Sequence, residues 1–283
     1  MLRKTLLSLL LLSTFVPLAA NAQTAAKLTA AQVVEKNVAA RGGLQAWKSV
    51  QAISFKGKMD AGAGDSIARS RAIAQAKTMP GRMEPADMTS AEPEKQVQLP
   101  FSSEFKRDHK SRVEVEFAGK TSVQVFDGTT GWLYRPYLNR EDVEPFTPEQ
   151  LKDEVEQADL DGYLIDYAAK GAKVDLEGVE KVENRDAYKL KVTRKSGQVV
   201  HVWVDAQTFL DVKLSGTPRR MDGKMRDVYV YQRDFRTVQG LNIPYVIETA
   251  VDGYRDTHKM VIENVVVNPK LDDAVFTKAK VKL

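Results

Sequence analysis

The C-terminal part of the chain reads MRDVYVYQRDFRTV (residues 225–238), QG, LNIPYVIETAV (241–251), DG and YRDTHKMVIENVVV (254–267). Tyr, Val and Ile recur at close to every second position of the three runs, which is typical of half-buried strands. Gln239-Gly240 and Asp252-Gly253 separate the runs, and tight hairpins need residues that tolerate positive φ there. The stretch 225–276 therefore predicts an antiparallel meander, around which the other elements are organised.

The N-terminus has the composition of a secretory signal peptide. Arg3 and Lys4 precede an apolar run over 5–18, and Ala20-Asn21-Ala22 follows it. This order of a basic region, an apolar region and a small-x-small site predicts a signal peptide over 1–22, cleaved after Ala22, and export of the mature chain. An uncleaved membrane anchor is the alternative, but the apolar run is short for a membrane span.

Composition excludes several classes of protein. Removal of 22 of the 283 residues leaves 261 and lowers the formal charge from +4 to +2, since Arg3 and Lys4 are lost. No basic block occurs, so nucleic acid is not an expected partner. The chain has 0 Cys, which excludes disulfides, iron–sulfur clusters, thiol catalysis and a lipid-modified N-terminal cysteine.

Two helices are predicted outside the strands. Thr29 and Gln32 match a capping box, and the helix 29–41 ends before Gly42-Gly43. Thr147-Pro148-Glu149-Gln150 opens a second helix, predicted over 148–170, with a possible break at Gly162 and an acidic face opposite an apolar stripe. The apolar stripe of this second helix supplies the predicted lid residues Leu151, Val155, Leu164 and Tyr167.

Alternating patterns predict further strands before the C-terminal meander. These strands are 52–59, 96–107, 111–117, 122–126, 131–134, 173–176, 187–193, 199–205 and 209–215. The runs 199–204 and 229–231 are apolar in both phases, which a sheet exposed on one side does not require. Either both faces of these strands are covered, or one face lines a cavity.

The segment 60–93 interrupts the pattern of strands. It is rich in Ala, Met, Pro and Gly, has no aromatic residue, and shows no steady period. A surface insertion is the simplest interpretation. A flap over a pocket and a loop that docks a partner are the alternatives.

The residues of common catalytic and metal sites are absent or scattered. His109, His201 and His258 are far apart, and no G-x-S-x-G motif occurs. Gly119-Lys120-Thr121 resembles the end of a phosphate-binding loop, but Glu114 stands where that loop needs its first glycine. The acidic pairs 141–142 and 153–154 are interpreted as solvated, and the three Trp residues as core. No catalytic residue, metal ligand or cofactor is therefore predicted, and the protein is expected not to be an enzyme.

Several separated segments resemble the LolA/LolB superfamily of periplasmic lipoprotein-sorting proteins. They are KLTAAQVVEKNVAARGGLQAWKSVQAISFKGKM (27–59), VFDGTTGWLY (125–134), YAAKGAKVDLEGVEKVENRDAYKLKV (167–192), VWVDAQTFLDVKL (202–214), YQRDFRTVQGLNIPYVIE (231–248) and ENVVVNPKLDDAVF (263–276). Their order and spacing, more than any one of them, carry the resemblance. The segment 60–93 departs from the superfamily's pattern, and no lipoprotein-handling residue of its type members matches a position of this chain.

The resemblance implies an α+β fold in which a curved antiparallel half-barrel sheet carries helices on its concave face. It also implies a single domain over 23–283 with the insertion at about 60–93, and an apolar cavity between sheet and helices. In the best-known members that cavity binds acyl chains, and other members are sensors that recognise lipoproteins or lipopolysaccharide. Strand phase gives the candidate cavity residues Ile53, Phe55, Trp132, Tyr134, Leu190, Val202, Val204 and Val230.

Three functions follow from these features. The leading hypothesis is a periplasmic carrier or binding protein for a lipid, a lipoprotein acyl chain or another amphiphile, with a role in lipoprotein sorting and outer membrane biogenesis. The second is an interaction or sensor protein whose insertion docks a protein partner of the inner or outer membrane. A secreted hydrolase is the third and least supported, because the chain lacks the corresponding constellations of residues.

Overall fold

The computed structural model describes residues 28–61, 97–136, 140–221 and 223–282. The predicted signal peptide over 1–22, and the predicted insertion from residue 62 onward, lie outside the described residues. The helices are α1 Ala30–Ala40, α2 Leu44–Ser49 and α3 Pro148–Gln157, with 3-10 turns at Asp273–Phe276 and Lys278–Lys280. The strands are β1 Ala52–Ala61, β2 Val97–Lys106, β3 Lys110–Phe117, β4 Lys120–Phe126, β5 Gly131–Arg135, β6 Arg140–Pro145, β7 Lys173–Val182, β8 Arg185–Thr193, β9 Val199–Asp205, β10 Asp211–Ser215, β11 Arg219–Met221, β12 Lys224–Arg226, β13 Val228–Val238, β14 Leu241–Val251 and β15 Thr257–Val267.

Thirteen of these strands form one open sheet in the order β6-β5-β4-β3-β2-β1-β15-β14-β13-β10-β9-β8-β7. All of its pairs are antiparallel, and β11 and β12 form a separate hairpin. The C-terminal meander lies between two other groups of strands, because β15 pairs with β1 and β13 pairs with β10. The sheet curves but does not close, so the predicted half-barrel is confirmed.

The predicted turns of the meander are present. Gln239 and Gly240 have φ of 48° and 83°, and they join β13 to β14 with Val238 opposite Leu241. Two consecutive residues at positive φ give the turn that best fits the twist of a hairpin. Gly253, at φ 79°, lies in the longer connection to β15.

The end of α1 packs closely on the β13–β14 hairpin. A Cβ atom at Gly42, whose φ is 116°, would lie 2.3 Å from the carbonyl oxygen of Gly240. The Asn242 side-chain amide donates to the Ala40 carbonyl at 2.6 Å, and the Asn242 backbone amide donates to the Arg41 carbonyl at 3.1 Å. The meander therefore fixes the end of α1 as well as the centre of the sheet.

Both predicted capping boxes are present, at Thr29 with Gln32 and at Thr147 with Gln150. The predicted extent of the second helix is wrong. The α3 helix ends at Gln157, and Gly162 and Asp166 have φ of 74° and 52°, which an α-helix does not accept. We call residues 158–172, the non-helical connection from α3 to β7, the lid segment.

Two apolar clusters lie between the helices and the sheet. The central cluster, beneath α2, comprises Trp47, Val50, Ile53, Phe101, Ile165, Leu241, Ile243, Tyr245, Ile262, Val265 and Val267. The α1 cluster comprises Val33, Val34, Leu164, Leu190, Val192, Val200, Val202 and Val204. Because Ile165 belongs to one cluster and Leu164 to the other, the lid segment covers the concave face across the seam between them.

Two further clusters lie on the other face of the sheet. The tail cluster, Val123, Val125, Phe276 and Val281, packs the C-terminal 3-10 turns on β4. The other cluster contains Trp203, against which Tyr229 and Tyr231 pack, and Lys213 Nζ lies 4.3 Å from the centre of the Trp203 ring. Val200, Val202 and Val204 are thus covered by α1 and the lid segment, and Trp203 by neighbouring side chains on the other face, where Val199 is 43% exposed.

Candidate functional site

Six of the eight candidate cavity residues lie on the concave face. Ile53 belongs to the central cluster, and Phe55 packs against that cluster. Leu190, Val202 and Val204 belong to the α1 cluster. Val230 is half-buried and pairs with Leu214, which in turn pairs with Val202, so it points to the same face.

Trp132 and Tyr134 lie on the opposite, convex face, which differs from the predicted arrangement. Directly paired residues share a face of a sheet, and one row of such pairs contains Ile53, Phe105, Ser111, Phe126 and Gly131. Trp132 follows Gly131 and therefore points the other way. Both aromatic side chains pack against the tail cluster. Strand phase shows which residues of one strand share a face, but not which face of the sheet that is. For Trp132 and Tyr134 the face depends on the register from β1 through β2, β3 and β4 to β5.

The candidate lid residues also separate into two groups. Leu164 is buried in the α1 cluster and Tyr167 packs against it. Leu151 is half-buried on α3, and Val155 is 42% exposed and lines an open cleft. Among the candidate cavity and lid residues that the structure describes, Val155 alone lines this cleft.

The cleft has a volume of about 660 Å³ and lies beside the lid segment, where three parts of the chain meet. The β2–β3 hairpin tip, residues 106–109, forms one side, and the β8–β9 hairpin tip, residues 194–196, forms another. The lid segment and the end of α3 complete the wall. Leu160 in this wall packs against the central cluster, and Tyr163 packs against the α1 cluster. The cleft therefore opens at the seam between the two clusters of the concave face.

Arg107 fastens the lid segment to the β2–β3 tip. Its two terminal nitrogens donate to the two carboxylate oxygens of Asp161 at 2.7 and 2.8 Å. The same guanidinium donates to the carbonyls of Trp47 at 2.7 Å and Val50 at 2.8 Å, at the end of α2. A planar guanidinium matches such a fork of acceptors, which an ammonium group does not. The hairpin, α2 and the lid segment are thus joined through one side chain.

A second arginine holds the lid segment from beneath. Arg41 Nη1 donates to the Asp161 carbonyl at 3.0 Å and lies 3.6 Å from a carboxylate oxygen of Asp211. Its guanidinium lies 4.4 Å from the centre of the Trp47 ring. Asn37 donates to the same Asp211 carboxylate. These groups are buried, so Asp161 is held from both sides by cationic side chains.

The lid segment is also closed on itself. Lys170 Nζ donates to the Asp159 carboxylate at 2.7 Å and to the Gly162 carbonyl at 2.9 Å. Lys48 on α2 lies 2.8 Å from the Asp166 carboxylate. These side-chain contacts act together with local backbone hydrogen bonds, such as that from the Lys170 amide to the Asp166 carbonyl, and with the burial of Leu164 and Ile165.

Glu154 attaches α3 to the concave face of β3 and β4. Its carboxylate accepts from the Ser111 hydroxyl at 2.5 Å and from the Gln124 amide at 2.7 Å. Burial raises the pKa of Glu154, against the opposing effect of these two hydrogen bonds. The sequence interpretation of Glu154 as a solvated surface group is wrong, since it is 9% exposed. Helical spacing does place Glu154 on the same side as Leu151 and Ala158, which was an available signal.

The sequence reasoning also missed Arg107, Asp161 and Arg41. Arg107 is the last residue of the predicted strand 96–107, and Asp161 lies within the predicted second helix, where a charged residue indicates an exposed surface. Their pairing joins positions 54 residues apart, and no local pattern reports it. Between residues 28 and 282, as far as they are described, no group of three potential metal ligands occurs. No helix of that same part is long and apolar enough to cross a bilayer.

No model of a known protein family matches the sequence, and no curated protein matches it. Solved structures do share the fold. A LolA superfamily protein from Nitrosomonas europaea is 15% identical, with a TM-score of 0.54 over 89% of this chain and 99% of that chain. A DUF1329 family protein from Desulfovibrio piger is 13% identical, with a TM-score of 0.55 over 90% and 99%.

A domain of a proposed outer membrane lipoprotein-sorting protein from Vibrio parahaemolyticus is 9% identical, with a TM-score of 0.52 over 88% of this chain and 96% of that chain. Each likeness spans nearly the whole of the solved chain. Because the sequence identities are 15% or lower, what they show is a shared fold. The chain therefore has the fold of the LolA superfamily, as its sequence resemblance predicts.

Proposed function

We propose that this protein is a periplasmic carrier or binding protein that holds a lipid, a lipoprotein acyl chain or another amphiphile between the lid segment and the concave face of the half-barrel. It carries out this role without catalysis and without a cofactor. The predicted signal peptide supports export to the periplasm. The shared fold with a proposed lipoprotein-sorting domain supports the class of ligand.

One observation carries the proposal: a cleft of about 660 Å³ at the seam between two apolar clusters, beside a non-helical segment that covers both clusters. Ligand pockets have volumes of roughly 300–1,000 Å³ and mostly apolar walls. The polar contacts of the lid segment lie at the rim of this cleft, whereas Leu164 and Ile165 pack the segment on the two clusters, so that an acyl chain would replace the apolar contacts of these side chains. Displacement of the lid segment would extend the cleft into the apolar clusters, where each buried methylene gains about 0.8 kcal/mol.

Native mass spectrometry of protein purified from its own periplasm tests the proposal, together with uptake of a fluorescent fatty acid. We expect co-purified lipid, and saturable uptake by the delipidated protein. Val155→Asp places a charge in the wall of the cleft and is expected to weaken uptake about tenfold, since an uncompensated charge opposes burial of the chain.

Val179→Asp is the matched control, because Val179 is 55% exposed on the edge strand β7, away from the cleft. It is expected to leave uptake unchanged. A clean mass without lipid, together with no uptake of the probe by the parent protein, would exclude the proposal. The sensor hypothesis depends on the segment 60–93, and no contact of the described residues favours it.

A further inference from the structure

We propose that the β11–β12 hairpin, residues 219–226, docks the protein on an anionic lipid surface. The residues of its two strands neither line the cleft nor belong to the two apolar clusters of the concave face. The lipid surface is therefore a second partner, distinct from the amphiphile that the cleft holds.

The hairpin interrupts the large sheet without joining it. Strand β10 pairs directly with β13, and the chain between them forms β11 and β12, which make a two-stranded sheet of their own. None of the six residues of these two strands is buried. An isolated two-stranded hairpin is marginally stable in water unless a further strand or a helix packs on it. Packing in the core therefore does not explain the hairpin, and its surface is free to contact a partner.

The strands of the hairpin are rich in unpaired cations, namely Arg219, Arg220, Lys224 and Arg226. Arg219 stands directly opposite Arg226, and like charges in that position destabilise a strand pair. Arg220 donates to the Gly223 carbonyl at 3.2 Å, within the hairpin turn. Among the residues that the structure describes, no carboxylate forms an ion pair with any of the four cations. The stretch 219–227 has two acidic residues in addition and a net charge of +2.

The carboxylates at the base of the hairpin lie close to the large sheet. Burial, followed by the charges of Asp227 and Asp252, raises the pKa of Tyr229, which packs on the convex face in the cluster of Trp203. Both carboxylates are therefore near Tyr229. They do not neutralise the cations of β11 and β12, which are left to attract an external anionic surface.

An exposed methionine accompanies these cations. Met225 is 57% exposed and stands opposite Arg220, and the half-buried Met221 stands opposite Lys224. Apolar side chains interleaved with long basic ones, whose stems are also apolar, are typical of segments that lie in the interface of a bilayer. An acidic polypeptide would satisfy the cations alone. The head-group layer of an anionic bilayer accepts both the cations and the methionine.

The hairpin lies at the same end of the sheet as the β8–β9 tip, which forms one side of the cleft. Strands β13, β10, β9 and β8 are neighbours in that order. The hairpin joins β10 to β13 and the tip joins β8 to β9, so the two lie about 10 Å apart, or two strand spacings. In the proposed carrier, docking of the hairpin thus shortens the path of an amphiphile between the bilayer and the cleft.

Sedimentation with large unilamellar vesicles tests this docking surface on the full-length mature protein. One set of vesicles contains phosphatidylglycerol and phosphatidylcholine in equal parts, and the other contains phosphatidylcholine alone. We expect the anionic vesicles to be bound about tenfold more tightly or better, since each basic residue near an anionic surface contributes about fivefold in affinity. Added salt should weaken this binding, because it screens the attraction.

The double variant Arg219→Gln, Lys224→Gln is expected to bind the anionic vesicles roughly twentyfold more weakly than the parent. Lys270→Gln, Lys278→Gln is the matched control. It removes the same charge from exposed positions that follow β15, at the other end of the sheet, and it should bind the vesicles as the parent does. Thermal unfolding of each variant confirms that it is folded at the temperature of the binding measurement.

Met225→Ser separates a lipid surface from an acidic protein as the partner. It is expected to weaken binding to the anionic vesicles about fivefold, because an apolar side chain no longer enters the interface. Poly-L-glutamate is the soluble polyanion for comparison. If it bound the parent as tightly as the vesicles do, and Met225→Ser had no effect on the vesicles, the partner would be an acidic protein and the lipid surface would be overturned.

Equal binding of the parent to anionic and neutral vesicles would also overturn the docking surface, as would equal binding by the two double variants. Uptake of the fluorescent fatty acid keeps this test apart from that of the carrier function. Val155→Asp should bind vesicles as the parent does, although its uptake is weakened. Uptake by a parent that binds no vesicles would reject the docking surface alone, and vesicle binding by a parent without uptake would reject the carrier function alone.

Discussion

Arg107 binds two separate parts of the chain beside the cleft. Its guanidinium bridges the Asp161 carboxylate of the lid segment and the backbone carbonyls at the end of α2. Asp161 is 5% exposed, so its charge is tolerated because a guanidinium faces it. At the scale of single residues, the closed position of the lid segment depends on this pairing.

We expect Arg107→Ala to lower the free energy of unfolding by about 2–4 kcal/mol, because it leaves a buried carboxylate without its bidentate partner. Backbone amides of residues 159–171 should then exchange with deuterium faster than in the parent. Urea denaturation and hydrogen exchange measure the two effects. Arg236→Ala is the control, since it breaks an exposed Arg–Asp pair that contributes little. Equal effects of the two substitutions would show that Arg107 does not fasten the lid segment.

A second prediction concerns Glu154, whose pKa is raised by burial. A carboxyl with a higher pKa in the folded state binds more protons there than in the unfolded state. Its contribution to stability therefore increases as the pH falls through the folded-state pKa. Glu154→Gln keeps an acceptor for Gln124 and a donor for Ser111 without the charge, so we expect it to be more stable than the parent at pH 7.

This stability difference should shrink as the pH is lowered and Glu154 becomes protonated. Urea denaturation at a series of pH values measures it. Asp153→Asn, one residue earlier, removes the same charge without touching Ser111 or Gln124, and it controls for net charge. A constant difference between Glu154→Gln and the parent at every pH would contradict the assignment.

At the scale of elements, the sequence predicted the starts of both helices and the end of α1, but not the end of α3. Both capping boxes are local, and both are present. The end of α3 depends on contacts that are distant in sequence, because Asp161 binds Arg107 and Arg41 from other parts of the chain. The apolar positions 163, 164 and 167 do pack inward, but as a turn segment. The apolar stripe thus predicted correctly which side chains are buried, but it predicted wrongly that they lie on a helix.

The junction of α1 with the β13–β14 hairpin gives a third prediction. We expect Gly42→Ala to lower the free energy of unfolding by about 2 kcal/mol or more, because an L-residue is strained at positive φ and its Cβ would meet a backbone oxygen. Gly43→Ala is the matched control, since Gly43 also has positive φ, 93°, but nothing within 4 Å of a Cβ atom. It should lose less, about 1 kcal/mol.

Urea denaturation of the two variants separates the effect of the close contact at Gly42 from the effect of backbone strain at positive φ. Equal losses would show that the close approach of Gly42 to Gly240 has no part in attaching α1 to the sheet. Such a result would leave the two hydrogen bonds of Asn242 as the connection between these elements.

At the scale of the whole molecule, most strand positions were predictable and strand neighbours were not. The short strands β6 and β11 were not predicted, and β12 was not separated from the run that contains β13. The three C-terminal runs match β13, β14 and β15 closely, because alternation and turn residues are local signals. The pairing of Ile53 with Val267 joins the two ends of the described chain, and only the resemblance to known folds implied such an arrangement. Faces were harder still: β-bulges at Lys56/Gly57 and at Leu176/Gly178 shift the phase within a strand.

The two faces of the sheet also divide the candidate cavity residues, and this division supports a last prediction. Trp132 and Tyr134 pack with the tail cluster on the convex face, whereas the cleft and the lid segment lie on the concave one. Phe276→Ala empties the fully buried site of Phe276 in the tail cluster, so we expect a loss of about 3–5 kcal/mol in the free energy of unfolding. Uptake of a fluorescent fatty acid should be unchanged wherever the variant remains folded, because the cleft does not contact Phe276.

Phe276→Leu refills most of that site and is expected to recover part of the stability with the same uptake. Urea denaturation gives the stabilities, and probe titration well below the unfolding temperature gives the affinities. If Phe276→Ala abolished uptake while folded, the ligand would lie on the convex face with Trp132 and Tyr134. Intact uptake in a destabilised variant places the ligand on the concave face, so that the sheet separates a face that binds from a face that stabilises.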